Sequence, residues 1–305
     1  MPAANRQRRD QTASLARLSQ SFSLSLEAEN KSPRTIQGYA ESLRLFITWL
    51  DEQGHATTIG SLDRHHVEEF ITDQLARLKP STAATRYKGL RVFFEWAVRD
   101  EEIETSPMAK MKPPAIPETM VPVLTENDMR ALIKACGGRD FADRRDLAII
   151  WMLADTGIRR AECAGLTLDD IDLSGRVLSV LGKGRRRRMV RFGKKTAAAV
   201  DRYLRIRDSH PLADQSWLWL GTSGRRFSDQ GLRQMLERRG EQAGVKLHAH
   251  QFRHTYVHQH LANGGNEGDL MYLTGWKSRQ MLTRYGASVA AERARGNYRS
   301  PWEGL

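Results

Sequence analysis

Five of the ten prolines, Pro107, Pro113, Pro114, Pro117 and Pro122, fall in one short stretch of the chain. Proline lacks the amide donor that helices and central strands require, and it pushes the residue before it out of the helical region. No regular element can run through such a stretch, so the chain must fold as separate bodies on either side of it. The expected divisions are a basic arm over 1–14, a first domain over 15–105, a linker over 106–122, a second domain over 123–290 and a tail over 291–305. With 305 residues, 40% of them apolar and 28% charged, the chain is long enough for both domains to bury a core.

Ahead of the linker, Ile36, Tyr39, Leu43, Phe46, Ile47 and Leu50 follow a helical spacing, and Tyr87, Leu90, Phe94 and Ala97 do so again. The pattern predicts a small all-helical bundle. Behind the linker, Thr125 offers a hydroxyl cap with Asp128 three residues on, and Met129, Leu132 and Ile133 continue an apolar face. Leu147 to Ala154 is apolar nearly all round, which predicts a central buried helix ending near Gly157. Val177–Leu181 and Met189–Phe192 read as short strands of a hairpin whose connection is rich in glycine and positive charge. Helices are expected again at about 195–207, 228–240, 250–262, 267–275 and 279–285. The fold class is therefore mainly α, a helical bundle followed by an α-rich domain with a small antiparallel β-sheet.

Lysine and arginine number 48 against 36 aspartates and glutamates, a net charge of +12. Such a field favours a polyanionic partner, nucleic acid ahead of an anionic membrane surface. The two cysteines, Cys136 and Cys163, are too few for a disulfide framework and lack the paired spacing of a zinc site, which points to a reducing cytoplasm. No apolar run follows Arg6, Arg8 and Arg9 to make a signal-peptide core, and no stretch reaches the roughly 20 apolar residues that span a bilayer.

Several separated residues suit chemistry on a phosphodiester. Its charge repels nucleophiles, so an enzyme without a metal must place fixed cations where oxygens gain charge in the transition state. Arginine's planar fork suits that task. Arg159 follows Gly157, and Glu162 lies three residues on, where it can hold the guanidinium. His250 and Arg253 are likewise three apart at a helix start, able to converge on one anion. Lys183 stands between Gly182 and Gly184 at the hairpin tip, within reach of a leaving-group oxygen. Arg185, Arg186, Arg187 and Arg188 read as a grip on nucleic-acid backbone. Tyr285 ends a polar segment before Gly286, and a phenol with a pKa of about 10 becomes a nucleophile when neighbouring cations favour its ionised form. Tyr39, Tyr87, Tyr203 and Tyr256 fit helical faces at or near a core, and Tyr272 lies inside an amphipathic turn. Taken singly, each motif is equally a surface ion pair, a satisfied histidine or a solvated basic loop.

Taken in order, Thr156-Gly157-Ile158-Arg159-Arg160-Ala161-Glu162, Gly182-Lys183-Gly184, His250-Gln251-Phe252-Arg253-His254 and Leu273-Thr274-Gly275-Trp276, with Tyr285 nine positions after Trp276, the chain resembles the tyrosine recombinases, or phage integrases. The likeness extends to the first domain, through Ser32–Leu50 and Ser81–Pro107, which look like the family's helical, SAM-like core-binding domain. It implies that Tyr285 attacks the scissile phosphate to give a 3′-phosphotyrosyl link and a free 5′-hydroxyl. Arg159 and Arg253 would clamp the non-bridging oxygens, Lys183 would protonate the leaving oxygen, and His250 would assist proton transfer or stabilise the phosphate. Glu162 matches a supporting acidic position. Most relatives carry histidine where this chain has Trp276, whose indole NH can donate to phosphate but cannot shuttle a proton. Thr274 replaces a common leucine.

The resemblance further implies a site-specific recombinase on double-stranded DNA in the cytoplasm, four protomers on two sites, with no ATP, metal or other cofactor. The length suits the simpler Xer-like plan. Accessory proteins are not legible. Rival readings are a type IB topoisomerase, which shares the phosphotyrosine chemistry and rejoins the original ends, and a non-catalytic DNA-binding regulator; a metal-dependent nuclease is a third.

Overall fold

Ser14, Ser32 and Asp63 each stand immediately before a helix and accept hydrogen bonds from its first amides, at Arg17, at Thr35, and at His65 and His66. Those caps start α1 (Leu15–Ala28), α2 (Pro33–Glu52) and α3 (Arg64–Arg77), and α4 (Pro80–Arg99) opens on a proline whose missing amide costs nothing there. The computed structural model describes residues 12–117, 122–182, 186–222, 224–279 and 282. Its contacts fall into two compact units that part between residues 119 and 120, and 111–117 and 122–125 belong to no helix or strand.

Among the described residues of the first unit four α-helices bury one apolar stripe each: Leu15, Leu18, Phe22 and Leu26 from α1, Leu43, Phe46, Trp49 and Leu50 from α2, Val67, Phe70 and Ile71 from α3, and Tyr87, Leu90, Phe93, Phe94, Trp96 and Ala97 from α4. Aromatic rings carry much of this core, with Phe46 and Phe70 centroids 5.2 Å apart and Phe22 and Trp96 5.4 Å apart. Gly89 lets α4 close on α2, since a Cβ there would lie 2.5 Å from the Ser42 side chain.

The second unit begins with α5 (Glu126–Ala135), held by the reciprocal Thr125–Asp128 capping box. At its centre runs α6 (Phe141–Thr156), whose Ala148, Ile149, Ile150, Met152 and Leu153 are all fully buried. A short α7 (Arg160–Ala164) precedes three antiparallel strands in the order β1 (Ile171–Asp172), β2 (Val177–Leu181), β3 (Arg187–Arg191). Leu178, Val180 and Val190 give the sheet its buried face. Then come α8 (Lys194–Arg207), α9 (Asp229–Ala243), α10 (Ala249–Ala262) and α11 (Glu267–Thr274). α8 and α10 pack on α6. Beneath α6, the fully buried Asp146 carboxylate receives Arg145, Arg238 and Arg239 at 2.7–3.0 Å, joining α6 to α9.

The mainly helical class with a small antiparallel sheet is thus the one expected. One boundary differs with consequences below: β3 starts at Arg187, two residues before the strand expected from Met189. Lys183, Arg185, Tyr285, most of the helix expected at 279–285, residues 1–11 of the arm and the tail over 291–305 lie outside the described residues.

Candidate active site

Gly157 ends α6 in the left-handed conformation, φ +59°, and turns the chain straight into the segment that carries Arg159. A side chain would not fit: its Cβ would lie 2.5 Å from the Tyr256 ring. The turn also aims the Gly157 carbonyl at Arg253, whose Nη1 donates to it at 2.9 Å while Nη2 donates to the Thr274 carbonyl at 2.6 Å. Arg253 is only 2% exposed, and its guanidinium lies over the Trp276 ring, 5.3 Å from the centroid. Trp276 is set by the end of α11: Gly275 takes a left-handed turn, and the Trp276 amide donates to the Met271 carbonyl.

Arg159 is the exposed member of the pair, with 37% of its side chain accessible. Its Nη1 donates to Glu162 Oε1 at 2.8 Å, and its backbone amide donates to Oε2 at 2.8 Å. Glu162, 8% exposed, therefore orients both the side chain and the main chain of Arg159. Burial pushes its carboxyl up, but the hydrogen bonds and charges of Arg188 and Arg159 outweigh that and hold it below the ordinary carboxylate value. His250 is exposed on the first turn of α10, one turn ahead of Arg253, with its ring 5.5 Å from that of His254.

The four consecutive arginines do not share one fate. Arg186 and Arg187 are exposed, and Arg187 Nη1 donates to Asp170 Oδ1 at 2.6 Å and to Ser179 Oγ. Arg188 corrects the expectation of a backbone grip, because it points into the unit and is 6% exposed. Its Nη2 and Nη1 donate to Glu162 at 2.7 and 3.1 Å, and its Nε donates to the Leu273 carbonyl at 2.8 Å. The cause is strand geometry: Arg188 sits opposite Val180 and two residues before Val190, on the inward face of β3. Thr274 and Leu273, which lend carbonyls to these arginines, are the other parts of the site that residue type alone does not reveal.

Among the remaining tyrosines, burial raises the phenols of Tyr87 and Tyr256 and pushes Tyr203 up to about 12, which makes all three poorer nucleophiles than a free phenol. Tyr272 is 58% exposed, more open than its amphipathic turn suggests. Among the described residues no group of three or more His, Cys, Asp or Glu is placed to hold a metal ion, and no helix is long and apolar enough to cross a membrane.

Two guanidinium groups, one buried and tethered to the Gly157 carbonyl, the other more open, two residues along the chain from that glycine and held by Glu162, are donors of the kind phosphoryl transfer requires. Residues 122–292 match the phage integrase family, and 18–104 match the phage integrase N-terminal SAM-like domain. The tyrosine recombinase XerD of Bifidobacterium longum is 28% identical over 270 residues, covering 83% of this chain and 86% of that protein. The tyrosine recombinase XerC of Thermodesulfovibrio yellowstonii is 30% identical over 255 residues, covering 81% and 83%. Among solved structures, the XerH site-specific recombinase in a post-cleavage complex with its palindromic difH substrate shares the fold at TM-score 0.73 and 18% identity, covering 92% of this chain and 85% of that one. A lambda integrase dimer bound to a COC′ core site does so at TM-score 0.72 and 14% identity, covering 100% and 84%. The chain belongs to the phage integrase family of tyrosine recombinases.

Proposed function

We propose that this chain is a site-specific DNA recombinase that cuts and rejoins duplex DNA through a tyrosyl ester. The observation that carries the reading is the arginine pair, Arg253 fastened by its carbonyls at Gly157 and Thr274 and Arg159 held open by Glu162. Arg159 and Arg253 clamp the non-bridging oxygens of the scissile phosphate and offset the charge that grows there. Tyr285 is the nucleophile and becomes joined to the 3′-phosphate as the bond to the 5′-oxygen breaks. Lys183 delivers a proton to that departing oxygen. His250 assists proton transfer at the phosphate, and the Trp276 indole NH donates to a phosphate oxygen. The ester conserves the energy of the broken bond, so a 5′-hydroxyl from another strand reverses the reaction without ATP.

Arg185, Arg186 and Arg187 bind the DNA backbone, and the first unit contributes a further helical surface to the duplex. Four protomers assemble on two sites, within the compartment that holds the chromosome. The test is capture of covalent protein–DNA complexes followed by sequencing of the attached ends. Adducts should form in the presence of a chelator, survive Tyr272→Phe and vanish in Tyr285→Phe. Adducts that persist in Tyr285→Phe would refute the assignment of the nucleophile. Relaxation of supercoils with no exchange of strands would favour the topoisomerase reading instead.

A further inference from the structure

We infer that Arg188 is a positioning residue whose charge balances Glu162, so that the positive charge of Arg159 is left uncancelled toward the scissile phosphate; this rests on the role given to Arg159 above. Glu162 carries one negative charge in a pocket nearly closed to water, where charges are weakly screened. With Arg159 as its only partner the pair would sum to zero, and the carboxylate would draw the guanidinium away from a bound phosphate. Arg188 supplies the second positive charge. Its Nη1 and Nη2 span both carboxylate oxygens, so Glu162 orients the Arg159 guanidinium through one side-chain hydrogen bond, beside the one from the Arg159 amide, without cancelling its charge. The triad keeps a net positive charge, and its exposed member is the one that faces outward.

Arg188 does not act by touching DNA. It lies on the core face of β3, and its third donor is fixed to the Leu273 carbonyl, three residues before Trp276. Nor is a buried ion triad needed merely to hold the fold, since well-packed apolar residues often replace such groups without loss of stability. Charge balance gives the arrangement a purpose that packing does not.

The experiment uses the full-length chain and a nicked duplex bearing the sequence recovered with the covalent adducts, so that the cleaved fragment diffuses away. Single-turnover cleavage at saturating DNA is compared for wild type, Arg188→Met, Arg188→Lys, Glu162→Gln and the double variant Arg188→Met/Glu162→Gln. Urea melts fix conditions in which all are folded. Arg188→Met should slow cleavage about 10- to 100-fold with little change in DNA affinity, and Arg188→Lys should retain most of the rate. The double variant should cleave faster than Arg188→Met, because the neutral amide no longer cancels Arg159. A structural staple would show its rescue in the urea midpoint and not in the cleavage rate of the folded protein, whereas charge balance rescues the rate under conditions in which every variant is folded. Arg188→Met cleaving at the wild-type rate, or a double variant no faster than Arg188→Met, overturns the inference alone. A wild-type chain that forms no Tyr285 adduct on that duplex overturns the assignment of Arg159 as well.

Discussion

Gly157→Ala tests whether the site depends on a close approach that only glycine permits. Two costs are expected. The first is backbone strain, since φ of +59° charges an alanine about 1–2 kcal/mol. The second is steric: the new methyl would lie 2.5, 2.7 and 2.9 Å from Cδ1, Cγ and Cβ of Tyr256. Because the Tyr256 Cβ is among the atoms struck, rotation of the ring gives no escape and α10 itself must retreat, at about 1–3 kcal/mol by analogy with overpacked cores. Gly244 provides the control. It ends α9 with φ of +69° and has nothing within 4 Å of its would-be Cβ, so Gly244→Ala incurs the strain alone. Urea unfolding of the two variants, followed by tryptophan fluorescence, should place Gly157→Ala below Gly244→Ala by the steric cost. Adduct formation, measured where both are folded, should fall only in Gly157→Ala, because α10 carries His250 and Arg253. Equal stability losses in the two variants would refute the wedge against Tyr256, and a full adduct rate in Gly157→Ala would refute its link to the arginine pair.

Asp146→Asn should destabilise the second unit by about 3–5 kcal/mol in urea melts, because it leaves the buried Arg145 without its countercharge and Arg239 with Asp143 in place of two carboxylates. Neither Cys136 nor Cys163 should react with a thiol reagent in the native protein, and both should react once guanidinium unfolds it; both are buried, and burial pushes the Cys136 thiol up to about 11 and Cys163 higher still. Glu162, held below its ordinary value when folded, contributes stability that is present above the unfolded pKa of about 4.5 and is lost as pH falls through the folded value. The gap in urea midpoint between wild type and Glu162→Gln should therefore be widest near neutrality and close on acidification; a gap that widens in acid would refute the pairing.

Much of the fold was legible because local chemistry and burial agree. The Thr125–Asp128 cap, the all-round apolar helix at α6 and the short apolar strand at Val177–Leu181 were each readable locally, and the structure adopts them. Arg159, Glu162 and Arg253 were legible as a motif, but their division of labour was not: nothing in the residue types says that Arg253 is buried while Arg159 stays open. Arg188 was misread because a run of four arginines looks uniformly solvated. Counting back by twos from the buried Val190 places it inward, and that period was the available signal. The carbonyls of Gly157, Leu273 and Thr274 carry no side-chain signature, since their role comes from where helix ends meet in space.

The tethering of Arg253 to carbonyls at positions 157 and 274 has a bearing on how the chain comes into being. Those anchors are supplied by segments synthesised far apart, one well before α10 and one after it. A nascent or partly melted chain that has α6 but not yet α11 cannot complete the anchoring of Arg253. The anchoring of the buried guanidinium is in this way withheld until α11 has docked.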